Sequence, residues 1–560
     1  MNKRINIVIA SMMMCLGIQA AFSSVAGAAV TNVDHEIAAV LNAGNSAEVN
    51  DVSCASATFC ATGGSYRDSS GSYQAFVSTF NGTSWRDQEV VAALNVGGQA
   101  VVDGINCTSS TFCVAGGVYK ISTTSVQSFV STFNGTSWTD ERVGNGLSPV
   151  GVSGIVAVSC ASSTYCVAGG EFLDAGGNLQ PYISIFNGTS WADQAVAAQL
   201  NVDGQGVVDT ASCPTTTFCV VGGNYTDGSG NLQAFVSTVS GSTVVNVPLA
   251  GSFNFGGQAS IDEVSCASAT FCAASGYYTD SANNFQAFVS TFNGSTWNDR
   301  EIVASLNSGG NGEANAISCP TTTFCATGGQ YADGNGKNQA FVSTFNGSTW
   351  TDQKLGSTLN AGGDANILEV SCASATFCIA TGRYKDSSGN VQAMVSIYNG
   401  SFWADQQALG GLNTGGAADL DSVSCPTVSF CVASGYAESA TSRKLAAVSI
   451  LSEQNAVTYA DGGGTGSVPT QASVSQSGTF QVAANTLTES GKTFAGWSDG
   501  TTVYQPGATY TMGSTPVTLT ATWSAEKVMA KSKTITCVLG KKSEKVTGAA
   551  PKCPKGWKVK

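Results

Sequence analysis

A single histidine, His35, occurs in 560 residues, so Ser-His-Asp, Cys-His and histidine-ligated metal chemistry have almost no material. Charge is scarce as well: 11% of residues are Asp, Glu, Lys or Arg, against 42% hydrophobic. That balance excludes a disordered chain. Long apolar runs are nearly absent. The one run, Ile5 to Phe22, follows Lys3 and Arg4 and precedes Ala26-Gly27-Ala28, so residues 1–28 read as a secretory signal peptide. Small residues follow the run where a stop-transfer cluster would stand, and no transmembrane segment is expected after cleavage. Met12-Met13-Met14 before Cys15 does not suit a lipoprotein signal, and no Leu-Pro-x-Thr-Gly sorting motif is present.

Cysteine, by contrast, is plentiful. Nineteen residues less Cys15 leave eighteen, an even number that suits complete pairing in an oxidising compartment. Sixteen fall in one register. Cys54, Cys107, Cys160, Cys213, Cys266, Cys319, Cys372 and Cys425 lie 53 residues apart without insertion. Each is followed six residues later by a partner: Cys60, Cys113, Cys166, Cys219, Cys272, Cys325, Cys378 and Cys431. A metal site would want Cys-x2-Cys spacing or histidine partners, so eight local disulfides are expected. Cys537 and Cys553 are expected to form a ninth.

Each 53-residue unit offers four short strands. In the first they are Asn50 to Cys54, Phe59 to Tyr66, Ala75 to Phe80, and a fourth beginning near Trp85. The stretch Asp87 to Asn95 also admits a short helix. Asn81-Gly82 predicts a tight type I′ hairpin with positive φ at both residues. Units of this size with four antiparallel strands mark propeller blades. Thr31 to Gly44 aligns without gaps to Thr296 to Gly309, the fourth strand and following loop of another unit, whereas the eighth unit stops after its third strand. The expected fold is all-β: an eight-bladed β-propeller over 29–454, closed by an N-terminal strand that removes both sheet edges. An open solenoid would instead want polar caps.

The hairpin Ser78-Thr79-Phe80-Asn81-Gly82-Thr83-Ser84-Trp85 resembles the Asp-box of sialidase-like propellers, with Phe80 where that box has its Asp. The whole unit also looks like repeats of exported actinobacterial propellers. After Gln454 the register ends. Val457-Thr458-Tyr459, Gly462 to Gly466, Thr493 to Trp497, Pro506-Gly507 and Val517 to Trp523 resemble the Listeria–Bacteroides repeat, the internalin B-repeat type. That resemblance implies a small β-grasp-like surface module over 455–525. Residues 526–560 form a basic tail with ten Lys and two Glu, net +8, while residues 29–525 carry a net −23. Such a tail suits an anionic envelope polymer or lipid headgroups, and the acidic body argues against nucleic acid.

Two acidic series are candidate sites. Asp68, Asp174, Asp227, Asp280, Asp333 and Asp386 recur between the second and third strands, with Ile121 and Ser439 breaking the series and a Gln following from Gln74 to Gln392. They would bind glycan hydroxyls or calcium, or simply build turns. Asp103, Asp209, Asp262 and Asp421 share a position before the first cysteine, with Asn50 and Asn315, and would hold a hard cation such as calcium at a channel mouth or stay solvated. No other cofactor is expected. Trp85, Trp138, Trp191, Trp297, Trp350 and Trp403 recur in register and suit packing between blades better than sugar stacking. The arginines Arg67, Arg86, Arg142, Arg300, Arg383 and Arg443 are scattered over repeat positions, and near-copy blades lack the broken symmetry of an active site. The residues therefore point to a secreted or cell-surface protein that binds glycan or cell-envelope ligands without catalysis. The alternatives are an extracellular glycosidase or polysaccharide lyase, whose carboxylate pair any such chain can supply, and a purely structural surface component.

Overall fold

The computed structural model describes residues 29–560 except 123–124, 203, 242, 476–478, 514–515 and 527–530, so the expected signal segment lies outside the described residues. Two compact bodies are present, Val30–Ser452 and Glu453–Lys560.

The first body is a propeller-like all-β repeat. In its first repeat, Ala47–Ser56, Phe59–Arg67, Tyr73–Phe80 and Trp85–Glu89 form an antiparallel sheet in chain order. Six further sheets repeat that order. The last repeat supplies Ala418–Thr427, Phe430–Glu438 and Lys444–Asn455, and Ala29–Glu36 lies beside the third of these. There Ser449 Oγ donates to Asp34 at 2.7 Å, as Ser78 Oγ donates to Asp87 within the first repeat. Trp85–Glu89 is a strand, and the short helix does not form: Ser78 holds Asp87 in the ladder.

Every first strand has a β-bulge four residues before its cysteine, at Asn50, Asp103, Val156, Asp209, Asp262, Asn315, Leu368 and Asp421. An extra residue there turns its side chain away from the ladder and tightens the local twist. Facing the bulge the second strand needs a glycine: a Cβ on Gly64 would lie 2.0 Å from the Glu48 carbonyl oxygen. Neighbouring repeats are joined by one recurrent bond. The Ser53 Oγ accepts the Cys107 N–H at 2.9 Å, Ser159 that of Cys213, Ser371 that of Cys425, and Ser424 that of Cys54 at 2.9 Å. An aromatic ladder runs beside it. Phe59 stacks on Phe133, Phe112 on Phe186, and Phe430 on Phe80, with centroids 6.0–6.2 Å apart. Each tryptophan leans on the aromatic residue ending the third strand, as Trp85 does on Phe80 at 5.2 Å. The tryptophans thus serve packing.

The Asn81 hairpin differs from the type I′ expectation. Gly82 has φ +93°, but Asn81 is not in the left-handed region, because the loop holds four residues. Asn81 Oδ1 instead accepts the N–H groups of Thr83 and Ser84 at 3.0 and 2.9 Å and so caps the turn.

All nine disulfides form, and in five repeats the two cysteines face each other directly in the ladder, as Cys54 and Cys60 do. A loop of seven residues is closed by each of the eight, and closure restricts the unfolded chain by about 2 kcal/mol. Replacing both Cys213 and Cys219 by Ser is therefore expected to lower unfolding stability by about 2 kcal/mol. Denaturant titration measures this, and an unchanged midpoint would show the bridge to be energetically idle.

In the second body, Val457–Ala460 runs parallel to Val517–Ala525, which pairs antiparallel with Lys492–Ser498. Trp497 is fully buried among Tyr459, Phe480 and Leu519, and its indole N–H donates to the Ala483 carbonyl at 3.0 Å. No helix occurs among its described residues. Beyond it, Lys533–Leu539 lies between Lys542–Gly548 and Lys558–Val559.

Candidate functional site

The turn aspartates are built into their own turns. Asp68 Oδ1 accepts the N–H groups of Ser70 and Ser72 at 2.8 and 3.0 Å, and Oδ2 accepts Gln74 Nε2 at 2.9 Å. Asp227, Asp280, Asp333 and Asp386 repeat the pattern with Gln233, Gln286, Gln339 and Gln392, and Asp174 with Gln180. The Gln passes the contact on, since Gln74 Oε1 accepts from Asn95 Nδ2 at 2.7 Å. Hydrogen bonds to the charged form hold Asp68 down at about 2. Any ligand on this face must share oxygens that already accept between one and three hydrogen bonds.

Asp103, Asp209, Asp262 and Asp421 occupy bulges, one per repeat, on first strands that pack each beside the next. Among the described residues no group of three or more His, Cys, Asp or Glu side chains stands close enough to hold a metal ion. Sequence reasoning missed that these four belong to a larger acidic population, which includes Asp51, Glu263 and Glu369 one residue closer to the cysteine. Glu48, Glu313 and Asp419 stand two residues further away. The alternation broken by each bulge was the available signal.

Apart from Asp419, which is buried, these carboxylates are half-buried: water reaches them, but protein surrounds them on most sides. Burial, then the charges of Glu171 and Glu48, raises Asp103 to about 7. Burial and Glu171 raise Asp209 to about 7. Asp262 is pushed well up by burial, Asp209, Glu313 and Glu263. Asp51 rises to about 6 through burial, although it accepts the N–H groups of Ile105 and Val52 and the Ser422 hydroxyl. Glu369 is driven up by burial and by Glu263 and Asp51, side chains from three different repeats. The buried Asp419 is paired with the Arg383 guanidinium at 2.8 Å.

Where the first, second and eighth repeats meet, a cleft of about 510 Å³ opens. Glu48, Asn50, Tyr73, Asp103, Lys120 and Lys444 are among its lining residues. Here the repeat symmetry breaks. Lys444 stands where other repeats have Tyr73, Val126, Leu179 or Phe285, and its ammonium forms an ion pair with Glu48 and lies 4.1 Å from the Tyr436 ring centroid. Asn50 Nδ2 donates to the Val102 carbonyl at 2.9 Å and reaches Asp103 Oδ1 at 3.5 Å. One carboxylate, Asp103, thus holds its proton near neutrality, while the other, Glu48, is matched by an ammonium. The two carboxyl groups thus face one cleft from unlike surroundings.

No protein-family model and no curated protein sequence matches the chain. Solved structures similar to it include the WD40 domain of SCAP from fission yeast, at 7% identity, with 76% of this chain and 98% of that one covered and a TM-score of 0.38. A Hadza microbial sialidase is 12% identical over 68% of this chain and 73% of its own, with a TM-score of 0.31. A Trypanosoma rangeli sialidase in complex with a difluorosialic acid is 10% identical over 72% of this chain and 54% of its own, with a TM-score of 0.30. Sialidases are enzymes, so the expectation of a non-catalytic protein is corrected. Its premise of near-copy blades also fails at the Glu48–Lys444 cleft. Nine disulfides fit an oxidising, extracellular location, and no helix among the described residues is long and apolar enough to cross a membrane.

Proposed function

We propose that the protein is an extracellular glycan-directed enzyme: an eight-bladed propeller closed by its N-terminal strand, hydrolysing a glycosidic bond in the cleft of the first, second and eighth blades. The pairing of a proton-bearing Asp103 with an ion-paired Glu48 in one cleft supports this reading most. Asp103 gives its proton to the departing glycosidic oxygen and regains one from the water that adds to the sugar. Glu48 supplies the negative charge that an oxocarbenium-like transition state requires. Tyr73, Asn50 and Lys120 offer a stacking face and hydroxyl partners for the sugar. The net −23 of residues 29–525 repels sialosides and uronates, so the substrate is a neutral or amine-bearing polysaccharide. The second body, with its likeness to a Listeria–Bacteroides repeat, acts as a surface module.

The test is release of reducing ends from a panel of neutral, amine-bearing and acidic polysaccharides. Asp103→Asn and Glu48→Gln are each expected to slow turnover by on the order of 100-fold or more, with glycan binding retained. The wild-type rate should fall as pH rises above about 7, where Asp103 loses its proton. Full activity in Asp103→Asn, or binding without turnover of any glycan, would remove the hydrolytic role.

A further inference from the structure

The chain's last 28 residues form a sheet too small to bury its own apolar residues. Lys533–Leu539 pairs with Lys542–Gly548 and with Lys558–Val559, and Cys537, bridged to Cys553, is the fully buried residue at its centre. Paired residues of antiparallel strands and alternate residues along a strand share a face. Cys537 pairs with Val559, and Leu539 pairs with Lys542. Leu539, Val559 and Lys542 therefore stand on one face with Lys533 and with Glu544, the partner of Cys537, whereas Lys545 and Lys558, paired with Thr536 and Val538, stand on the other. Leu539 is 49% exposed and Val559 61% exposed. The lysines at 531, 533, 541, 542, 545, 552, 555, 558 and 560 are all exposed, and none of them forms an ion pair among the described residues. Glu544 is the one carboxylate side chain within the sheet.

We propose that this disulfide-braced sheet is a docking surface for an anionic lipid bilayer, with lysines on headgroup phosphates and Leu539 and Val559 entering the interface. Charge alone would suit any polyanion. The two exposed apolar side chains beside lysines select a lipid surface, because burying them there gains free energy that a hydrated polymer does not offer. Charged residues near such a surface add to affinity one by one and lose it to salt.

The experiment is co-sedimentation of the full chain with vesicles of phosphatidylglycerol and phosphatidylcholine, or of phosphatidylcholine alone. Binding is expected only to the anionic vesicles, falling with added salt. Replacing Lys533, Lys541 and Lys542 by Ala should weaken it on the order of 100-fold. Leu539→Ser with Val559→Ser should weaken it at least tenfold while an intact Cys537–Cys553 bridge, checked by mass after alkylation, shows that the sheet is formed. Equal binding to both vesicles, unchanged binding of the Leu539/Val559 variant, or capture by soluble polyphosphate without capture by vesicles would each overturn the proposal.

Discussion

Removing residues 30–44 is expected to cost the first body on the order of 5 kcal/mol or more and to leave it aggregating. Three kinds of contact go together. The Ile37 N–H donates to the Ala446 carbonyl at 2.9 Å, Asp34 accepts from Ser449 Oγ at 2.7 Å, and Asn42 Nδ2 donates to the Lys444 carbonyl at 3.0 Å. Ile37 is only 3% exposed and Ala38 is fully buried. An isoleucine side chain buried to this degree is worth about 2–3 kcal/mol, and each native hydrogen bond about 1 kcal/mol. The deletion also bares the backbone edge of Lys444–Asn455, a template for pairing between copies. Chemical denaturation and light scattering of the truncated chain measure both effects. A synthetic peptide of residues 29–44 added in trans should restore part of the stability. A truncated chain that unfolds at the wild-type midpoint would dismiss the closing role of the segment.

The pH dependence of stability should have its maximum on the acid side of neutrality. Asp51, Asp103, Asp209 and Asp262 all have folded values raised above the ordinary carboxylate range, to about 6 for the first and about 7 for the next two. A raised acid contributes its full stability below the unfolded value near 4 and loses it as pH climbs through the folded value, because the unfolded chain then binds fewer protons. Stability is thus expected to decline between about pH 4 and pH 7. The turn aspartates act in the opposite sense. Asp68 and its counterparts are held below the ordinary value, so their contribution is present above about 4 and lost as pH falls toward 2. Between the two windows lies a stability maximum at about pH 4–5. Melting by calorimetry should give a midpoint on the order of 5 °C higher at pH 5 than at pH 8. The triple replacement Asp103→Asn, Asp209→Asn, Asp262→Asn should raise the pH 8 midpoint and flatten the slope. A midpoint rising steadily from pH 5 to pH 8 would contradict this account.

Much of the fold was legible because its determinants are local and repeated. The 53-residue register gave the strands and the disulfides, and the match of Thr31–Gly44 to Thr296–Gly309 gave the strand that lies beside Lys444–Asn455. The hairpin conformation was misread because the Asn-Gly pair was weighed without the two residues after it, which make the loop four residues long. The cleft was not legible. Glu48 and Lys444 are 396 residues apart, and sequence gives no spacing rule for a contact made across the chain's two ends. The bulges, too, went unread. Alternation along Ala47–Ser56 is interrupted at Asn50, and the paired Gly63-Gly64 opposite was the clue, since adjacent glycines inside a strand mark a close backbone approach.

At one point in every repeat, just after the fourth strand, the backbone enters the left-handed region: Ala38, Val91, Gly144, Ala197, Ala250, Val303, Gly356 and Leu409. At Val91 and Val303 the N–H is donated to the next repeat, to Asp140 and Asp352. Six repeats tolerate a side chain in a conformation unfavourable by about 1–2 kcal/mol, and all six are fully buried, so packing offsets the strain. The two glycine joints are filled from across the seam. A Cβ on Gly144 would meet the Tyr182 hydroxyl at 2.7 Å, and one on Gly356 the Met394 sulfur at 3.1 Å. The modules are thus keyed in matched pairs. Shuffling them by gene recombination would bring a valine against a tyrosine at some joints and leave a void at others, so the order of these look-alike segments is itself encoded.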